Sequence, residues 1–120
     1  MKGVLIVGHG SRQKSMERTL IAVGEMVQTE LPEMLIEIAS MKFGQRDIPS
    51  ALTALLERDA DEIVVAPYFL FDGAHLHKDI PEIIATYRQA HPHVKIVTAD
   101  SLGVDERLAA VLTDRIRKCL

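Results

Sequence analysis

Gly3-Val4-Leu5-Ile6-Val7-Gly8-His9-Gly10-Ser11-Arg12 sets the pattern of the whole chain. Its apolar run is dense in branched side chains and reads as a buried strand. The run stops at Gly8-His9-Gly10, where two glycines permit a tight turn and let a ligand approach the backbone. Ser11 is placed to cap a helix. A helical period follows, with Met16, Leu20, Val23, Val27 and Leu31 at spacings of three and four, and Pro32 ends it. The same unit then recurs. Residues 34–41 form a second apolar run with Glu37 inside it, and Pro49 opens a helical stretch carrying Leu52, Leu55 and Leu56. After the polar break Asp59-Ala60-Asp61, residues 62–70 read as a central strand, with Pro67 near its end because an interior proline would break the ladder. A loop over 71–79 leads to helical Ile80, Ile83, Ile84 and Tyr87, with Pro81 in the first turn. A fourth run, 94–99, is followed by a helix whose Leu108, Leu112, Ile116 and Cys119 fall on one stripe. Strand and helix alternate throughout, which predicts an α/β fold: a four-stranded parallel sheet, helices on both faces, right-handed crossovers, one domain over 1–120.

Composition narrows the function classes. Of 120 residues, 48% are hydrophobic and 26% charged, enough apolar surface to exclude a disordered chain. The net charge of −3 is not that of a general nucleic-acid binder. The one cysteine, Cys119, can form neither an internal disulfide nor a cysteine zinc site. The first apolar run is too short for a signal peptide and lacks a cleavage site, and no segment approaches the roughly 20 apolar residues of a membrane span. A cytoplasmic protein is expected, without nucleic-acid or membrane partners. So short a chain has little concave surface, so a large ligand calls for a dimer to enclose it.

Ligands of an open parallel sheet bind beyond the carboxyl ends of its strands. The loops expected at that edge, 8–12, 42–47, 71–79 and 100–104, carry His9, His75 and His77; His91 and His93 belong to the opposite edge. His9 reads either as a ligand or as the polar tip of a capped turn. Gly73-Ala74-His75-Leu76-His77-Lys78-Asp79 reads either as a ligand loop or as a helix start capped by Asp79 with solvated histidines. If the first and third strands pair, His9 and one histidine of this loop meet across neighbouring strands. Two neutral imidazoles suit cobalt, nickel, zinc or iron(II), and two ligands rather than four fit transient holding better than a structural zinc site. Gln13 stands where a dinucleotide fingerprint needs its third glycine, and neither a phosphate loop nor a G-x-S-x-G elbow is present. Aspartates 47, 72, 79 and 100 lack the glycine-rich cradle of a magnesium phosphotransfer site, and Cys119 reads as a packing residue.

Gly8-His9-Gly10-Ser11-Arg12 resembles the opening of the small class II chelatases. Residues 67–81, Pro67-Tyr68-Phe69-Leu70-Phe71-Asp72-Gly73-Ala74-His75-Leu76-His77-Lys78-Asp79-Ile80-Pro81, are similar to their P-x-F-L-x-x-G-x-H-x-x-x-D-I-P signature, and Ser101-Leu102-Gly103 to a third, shorter motif. The resemblance runs over essentially the whole chain and is to the CbiX-type sirohydrochlorin chelatases. It implies a flavodoxin-like chelatase half-domain that inserts a divalent metal, Co2+ foremost and Ni2+ or Fe2+ as alternatives, into sirohydrochlorin or a related tetrapyrrole. No ATP and no tightly bound cofactor are implied. The setting it implies is cobalamin or another porphyrin-type biosynthesis, and it leads to the expectation of a homodimer with the macrocycle between subunits. The alternative is a metal- or tetrapyrrole-binding protein without insertion activity.

The resemblance places the metal-handling and catalytic pair at His9 and His75, with His77 ranked below them and Asp79 and Glu17 as secondary site residues. Ser101 and Leu102 enter as substrate contacts through the third motif. Arg12, Lys42 and Arg46, with Lys14 and Lys78 nearby, lie at the ligand edge, where they and the helix N-termini suit the carboxylates of such a substrate. Lys42 stands where the family pattern has an acidic residue and Glu17 where it often has Asn, so the two are expected to form a compensating ion pair across the pocket.

Overall fold

The computed structural model describes the backbone of residues 1–120 and every side chain except that of His75. In chain order the elements are β1 (Lys2–Gly8), α1 (Lys14–Glu30), β2 (Leu35–Ser40), α2 (Ile48–Glu57), β3 (Glu62–Pro67), a π-helical turn (His75–Asp79), α3 (Ile80–Ala90), β4 (Lys95–Thr98) and α4 (Glu106–Arg117). The four strands are all parallel in the order β2-β1-β3-β4. β1 pairs with β3 from Lys2↔Glu62 to Val7↔Pro67, the pairing on which a meeting of His9 with the 73–79 loop depends.

Side-chain alternation along the strands divides the core in two. Leu5, Val7, Ile63, Val65 and Ile96 face α2 and α3 and pack with Leu52, Leu55, Ile80 and Ile84. Val4 and Ile6 face the other way and pack with Leu20 of α1. The chain thus leaves β1 for one face of the sheet and β3 for the other. A crevice opens at the carboxyl ends where adjacent strands send their helices apart, here between β1 and β3.

The strand reading of 62–70 overran. β3 stops at Pro67, and the amide of Tyr68 still donates to the Val7 carbonyl at 2.7 Å before the chain turns away. Ser11 does not cap α1. Its hydroxyl accepts the Gln13 amide at 3.1 Å one turn early, and Gln13 occupies the cap position without a side-chain bond. Asp79 makes no capping bond either, because α3 continues directly out of the π-helical turn. α2 has a true cap in Asp47, which accepts the Ser50 amide at 2.9 Å, with Pro49 in the first turn.

Hydrogen bonds from Ser50, side chain and then backbone amide, hold the Asp47 carboxyl below its ordinary value of 3.8. A depressed folded pKa supplies stability that is present above the unfolded value and is lost as pH falls through the folded one. Asp47→Ala is therefore expected to cost about 1 kcal/mol at neutral pH. In paired melts its deficit against the parent chain shrinks as the pH drops below the ordinary carboxylate range.

The two outer strands are β2 and β4. In β2 the odd-numbered positions face β1, as the Met41-to-Gly8 amide bond shows, so the Ile36 carbonyl points outward; Arg58 bonds it at 3.3 Å. Arg58 also pairs with Glu37 at 3.0 Å, and Arg46 meets the same carboxylate at 2.9 Å, fastening both ends of α2 to β2. In β4 the amides of Lys95 and Ala99 turn to β3, so the Ile96 carbonyl points outward, and Arg88 bonds it.

α4 forms over the expected stripe but packs on neither face. None of its residues is buried, and the molecule extends 54 Å along its long axis against 31 and 27 Å across it. Cys119 lies beyond the end of α4 and is exposed, so it is not the packing residue its position on the stripe suggests.

Candidate functional site at the carboxyl edge

All four loops named from the sequence emerge at the carboxyl ends of the strands. His91, by contrast, lies at the far end of α3, where its ring stacks on Tyr87 at 4.3 Å.

His9 leaves β1 at the mouth of the crevice. Its imidazole is stacked on Phe69, ring centroids 4.0 Å apart and planes inclined by 19°, and Phe69 is buried at 4% exposure. The stack sets the plane of the imidazole while His9 itself stays exposed, so the ring is held by its face at the rim. Phe69 was not singled out from the sequence. Its signal was its place two residues past Pro67, where an inward-facing aromatic sits just beyond the strand end.

Gly10 makes the approach of this loop to its neighbour possible. It has φ +86, and a Cβ there would lie 1.8 Å from the Lys42 carbonyl oxygen. The 41–46 loop is closed by the Ser40 amide bonding the Arg46 carbonyl at 3.0 Å, and Phe43 at its tip takes φ 62 and stands 56% exposed. The Arg12 guanidinium lies over the Phe43 ring at 4.9 Å and the Lys42 ammonium at 6.0 Å. Two cations thus gather at one aromatic ring at the rim.

The expected Glu17–Lys42 ion pair does not form among the described residues. Glu17 instead accepts the Gln45 amide at 3.0 Å, bracing the 41–46 loop, while Lys42 turns to Phe43. The backbone donor offers the carboxylate a fixed bond that a long, exposed lysine cannot match without losing side-chain entropy. Arg46 stands at the edge with its guanidinium committed to Glu37.

Beside His9, between Glu17, Ser40, Phe43 and Tyr68, lies a pocket of about 160 Å3. A drug-sized ligand needs roughly 300–1,000 Å3. The pocket beside His9 is smaller than that.

On the β3 side, the 99–105 segment is sewn to the loop after Pro67. The Leu102 amide donates to the Phe69 carbonyl at 2.8 Å, the Gly103 amide to the Leu70 carbonyl at 2.7 Å, and the Ser101 hydroxyl to Asp72 at 2.7 Å. Ser101 and Leu102 thus hold in place the segment that carries Phe69. Asp72 also faces His77, 3.6 Å away. His75 opens the π-helical turn on this loop, and the placement of its ring lies outside the described residues. Lys14 and Lys78 are exposed at the same edge.

A family model described as CbiX matches residues 3–119. The chain belongs to the CbiX family. It is 32% identical over 120 residues to the sirohydrochlorin cobaltochelatase of Sulfurisphaera tokodaii, covering 100% of this chain and 95% of that one. It is 31% identical over 118 residues to the chloroplastic sirohydrochlorin ferrochelatase of Arabidopsis thaliana, covering 98% of this chain and 52% of that one. Among solved structures, the sirohydrochlorin chelatase SirB from Bacillus subtilis subspecies spizizenii in complex with cobalt superposes with a TM-score of 0.91 at 28% identity, covering 98% of this chain and 50% of that one. This CbiX chain therefore spans about half the length of the plant and Bacillus proteins and nearly the whole of the Sulfurisphaera one. No helix of the protein is long and apolar enough to cross a membrane.

Proposed function

We propose that the chain inserts a divalent metal ion, cobalt foremost, into sirohydrochlorin without ATP, acting in the cytoplasm as a homodimer that holds the macrocycle between two rims. The observation that carries this reading is the position of His9. It sits stacked and oriented at the end of β1, beside the strand whose following loop carries His75. The chemistry named for the cobaltochelatase and ferrochelatase relatives supports it.

Insertion requires the aquo-ion to lose water, two pyrrole N–H protons to leave, and the ring to bend until its nitrogens face the ion. His9 and His75 replace water with imidazole nitrogen, a ligand suited to cobalt, nickel and iron(II). Phe69 fixes the plane of the His9 ring, so the ion is presented in one direction. The cation itself lowers the pyrrole N–H pKa, and each imidazole, once it has let the ion go, has a nitrogen free to take up one of the two protons. As the pyrrole nitrogens close on the ion, the two histidines release it; a site with more protein ligands would resist that release. Arg12 and Lys42, gathered over Phe43, meet the substrate's carboxylates in company with the N-terminus of α1.

The test is absorbance of sirohydrochlorin with Co2+, Ni2+ and Fe2+, with and without the protein. Spectral conversion faster than the uncatalysed rate supports the reading, with cobalt expected first; no acceleration with any of the three overturns it. His77 is exposed and, among the described residues, pairs with Asp72, and exposed ion pairs contribute about 0–1 kcal/mol. His77→Ala is expected to keep insertion within about threefold of the parent rate.

A further inference from the structure

Four of the five phenylalanine and tyrosine residues of this chain, Phe43, Tyr68, Phe69 and Phe71, sit in loops at the carboxyl edge; the fifth is Tyr87 of α3. Phe69 is buried beneath His9, and Phe43 is flanked by Arg12 and Lys42. Phe71 has no such role in the fold. It is 77% exposed, and Leu70 before it is 62% exposed, so two large apolar side chains in a row are left in water. Neither contributes to the core in that position.

Exposure here is not looseness. On one side of Phe71 the Leu70 carbonyl accepts the Gly103 amide at 2.7 Å, and on the other the Asp72 carboxylate accepts the Ser101 hydroxyl at 2.7 Å. Both neighbours of residue 71 are thus tied to the 101–103 segment while the ring stays in solvent. The same segment brings exposed Leu102 to this stretch of the rim. An exposed aromatic on tied backbone is pre-organised, so a ligand that covers it has little chain left to order.

The rim therefore has two unlike halves. Sheet order puts the 41–46 loop after β2 and the 68–74 loop after β3, with His9 between them at the end of β1. Cations gather on the β2 side and apolar side chains on the β3 side. At strand spacings of about 4.8 Å the two halves stand about 10 Å apart. A single ion or a small acid does not span that distance. A conjugated macrocycle with carboxylate arms does, and it offers a flat apolar face to one half and negative charge to the other.

We propose that Phe71, with Leu70 and Leu102 beside it, is the seat for the conjugated face of the macrocycle, while the Arg12–Lys42 side takes its carboxylates. This deepens the chelatase reading and rests on it. Stacking reads a π-face whatever its substituents, so the seat recognises the ring and the cations recognise its charge. The stack forms when the macrocycle binds and persists as the ion enters. It therefore contributes equally to the ground and transition states and shows in KM rather than in kcat.

The experiment uses the full chain and metal-free sirohydrochlorin, followed by the pigment's own fluorescence so that binding is read apart from insertion. Phe71→Ala should weaken binding about tenfold and raise KM by about the same factor. Its kcat, Co2+ binding by the apo-protein, melting temperature and molecular mass in light scattering should match the parent. Phe71→Trp should restore binding and Phe71→Leu should not, because the seat needs a ring and not merely apolar bulk. Added salt should weaken the parent and Phe71→Ala in parallel, since the lost contact carries no charge, whereas Arg12→Ala should flatten the salt dependence. Binding by Phe71→Ala at the parent's strength, or full rescue by Phe71→Leu, overturns the seat and leaves the chelatase reading standing. A changed molecular mass does the same, by making Phe71 a contact between subunits. Phe71-dependent binding in a protein that fails to accelerate insertion removes the chelatase reading and leaves the seat standing.

Discussion

His9→Ala and His75→Ala are each expected to lower cobalt insertion at least about 100-fold, some 2.7 kcal/mol of barrier, while leaving the melting temperature within a few degrees of the parent. The loss is large because two imidazoles are the whole of the proposed ligand set, so removing either halves the hold on the ion and frees its direction. The fold is spared because His9 is exposed, and its stack on Phe69 lies at the surface of the crevice rather than in the core. Steady-state absorbance of sirohydrochlorin with Co2+ reads the first effect and thermal circular dichroism the second. Near-normal insertion by the His75 variant overturns the metal assignment. A companion variant, Phe69→Leu, keeps the volume of the buried seat and loses its aromatic face. It separates orientation from ligation: insertion should fall while apo-protein binding of Co2+ is retained.

Gly10→Ala is expected to be among the most damaging single changes in the chain. The new methyl would sit 1.8 Å from the Lys42 carbonyl oxygen, and the backbone at φ +86 disfavours any side chain. The 41–46 loop would have to move as a body, taking with it the Phe43 ring and the two cations above it. A loss on the order of 2–3 kcal/mol follows from strain at a positive φ together with overpacking. Gly73→Ala is the control, since a methyl there would meet nothing within 4 Å and no positive φ constrains the position. It should be neutral or gain up to about 1 kcal/mol through the unfolded chain. Urea unfolding of the two variants beside the parent measures both.

The architecture was legible because the pattern of branched runs and helical periods was clean. Gly3 to Val7, the 62–67 run and the α1 stripe each carry one unambiguous period, and burial in a parallel sheet demands that composition. The ends were less legible. Tyr68 to Leu70 is apolar enough to read as strand, but the ladder had already ended at Pro67, which lacks an amide to offer. The capping roles of Ser11 and Asp79 failed for a related reason. A side-chain oxygen near a helix start finds whichever amide the backbone presents, and that depends on φ and ψ rather than on residue type. At the site, the edge that carries His9 follows from strand order alone. The partners of Glu17, Lys42 and Arg46 do not, because each chose among several groups brought close by the 41–46 loop, whose shape turns on Gly10 and on Phe43 at φ 62. The stripe on α4 was read correctly as amphipathic. What covers it was not readable, since a helix period records that a face is apolar without recording whose surface it meets.

Arg58 and Arg88 occupy the outward carbonyls of Ile36 and Ile96, one on each border of the sheet. An added strand would need those acceptors and would have to displace a guanidinium to reach them. Edge-to-edge lengthening of the ladder is therefore opposed at both borders, and concentrated protein is steered away from fibrous growth.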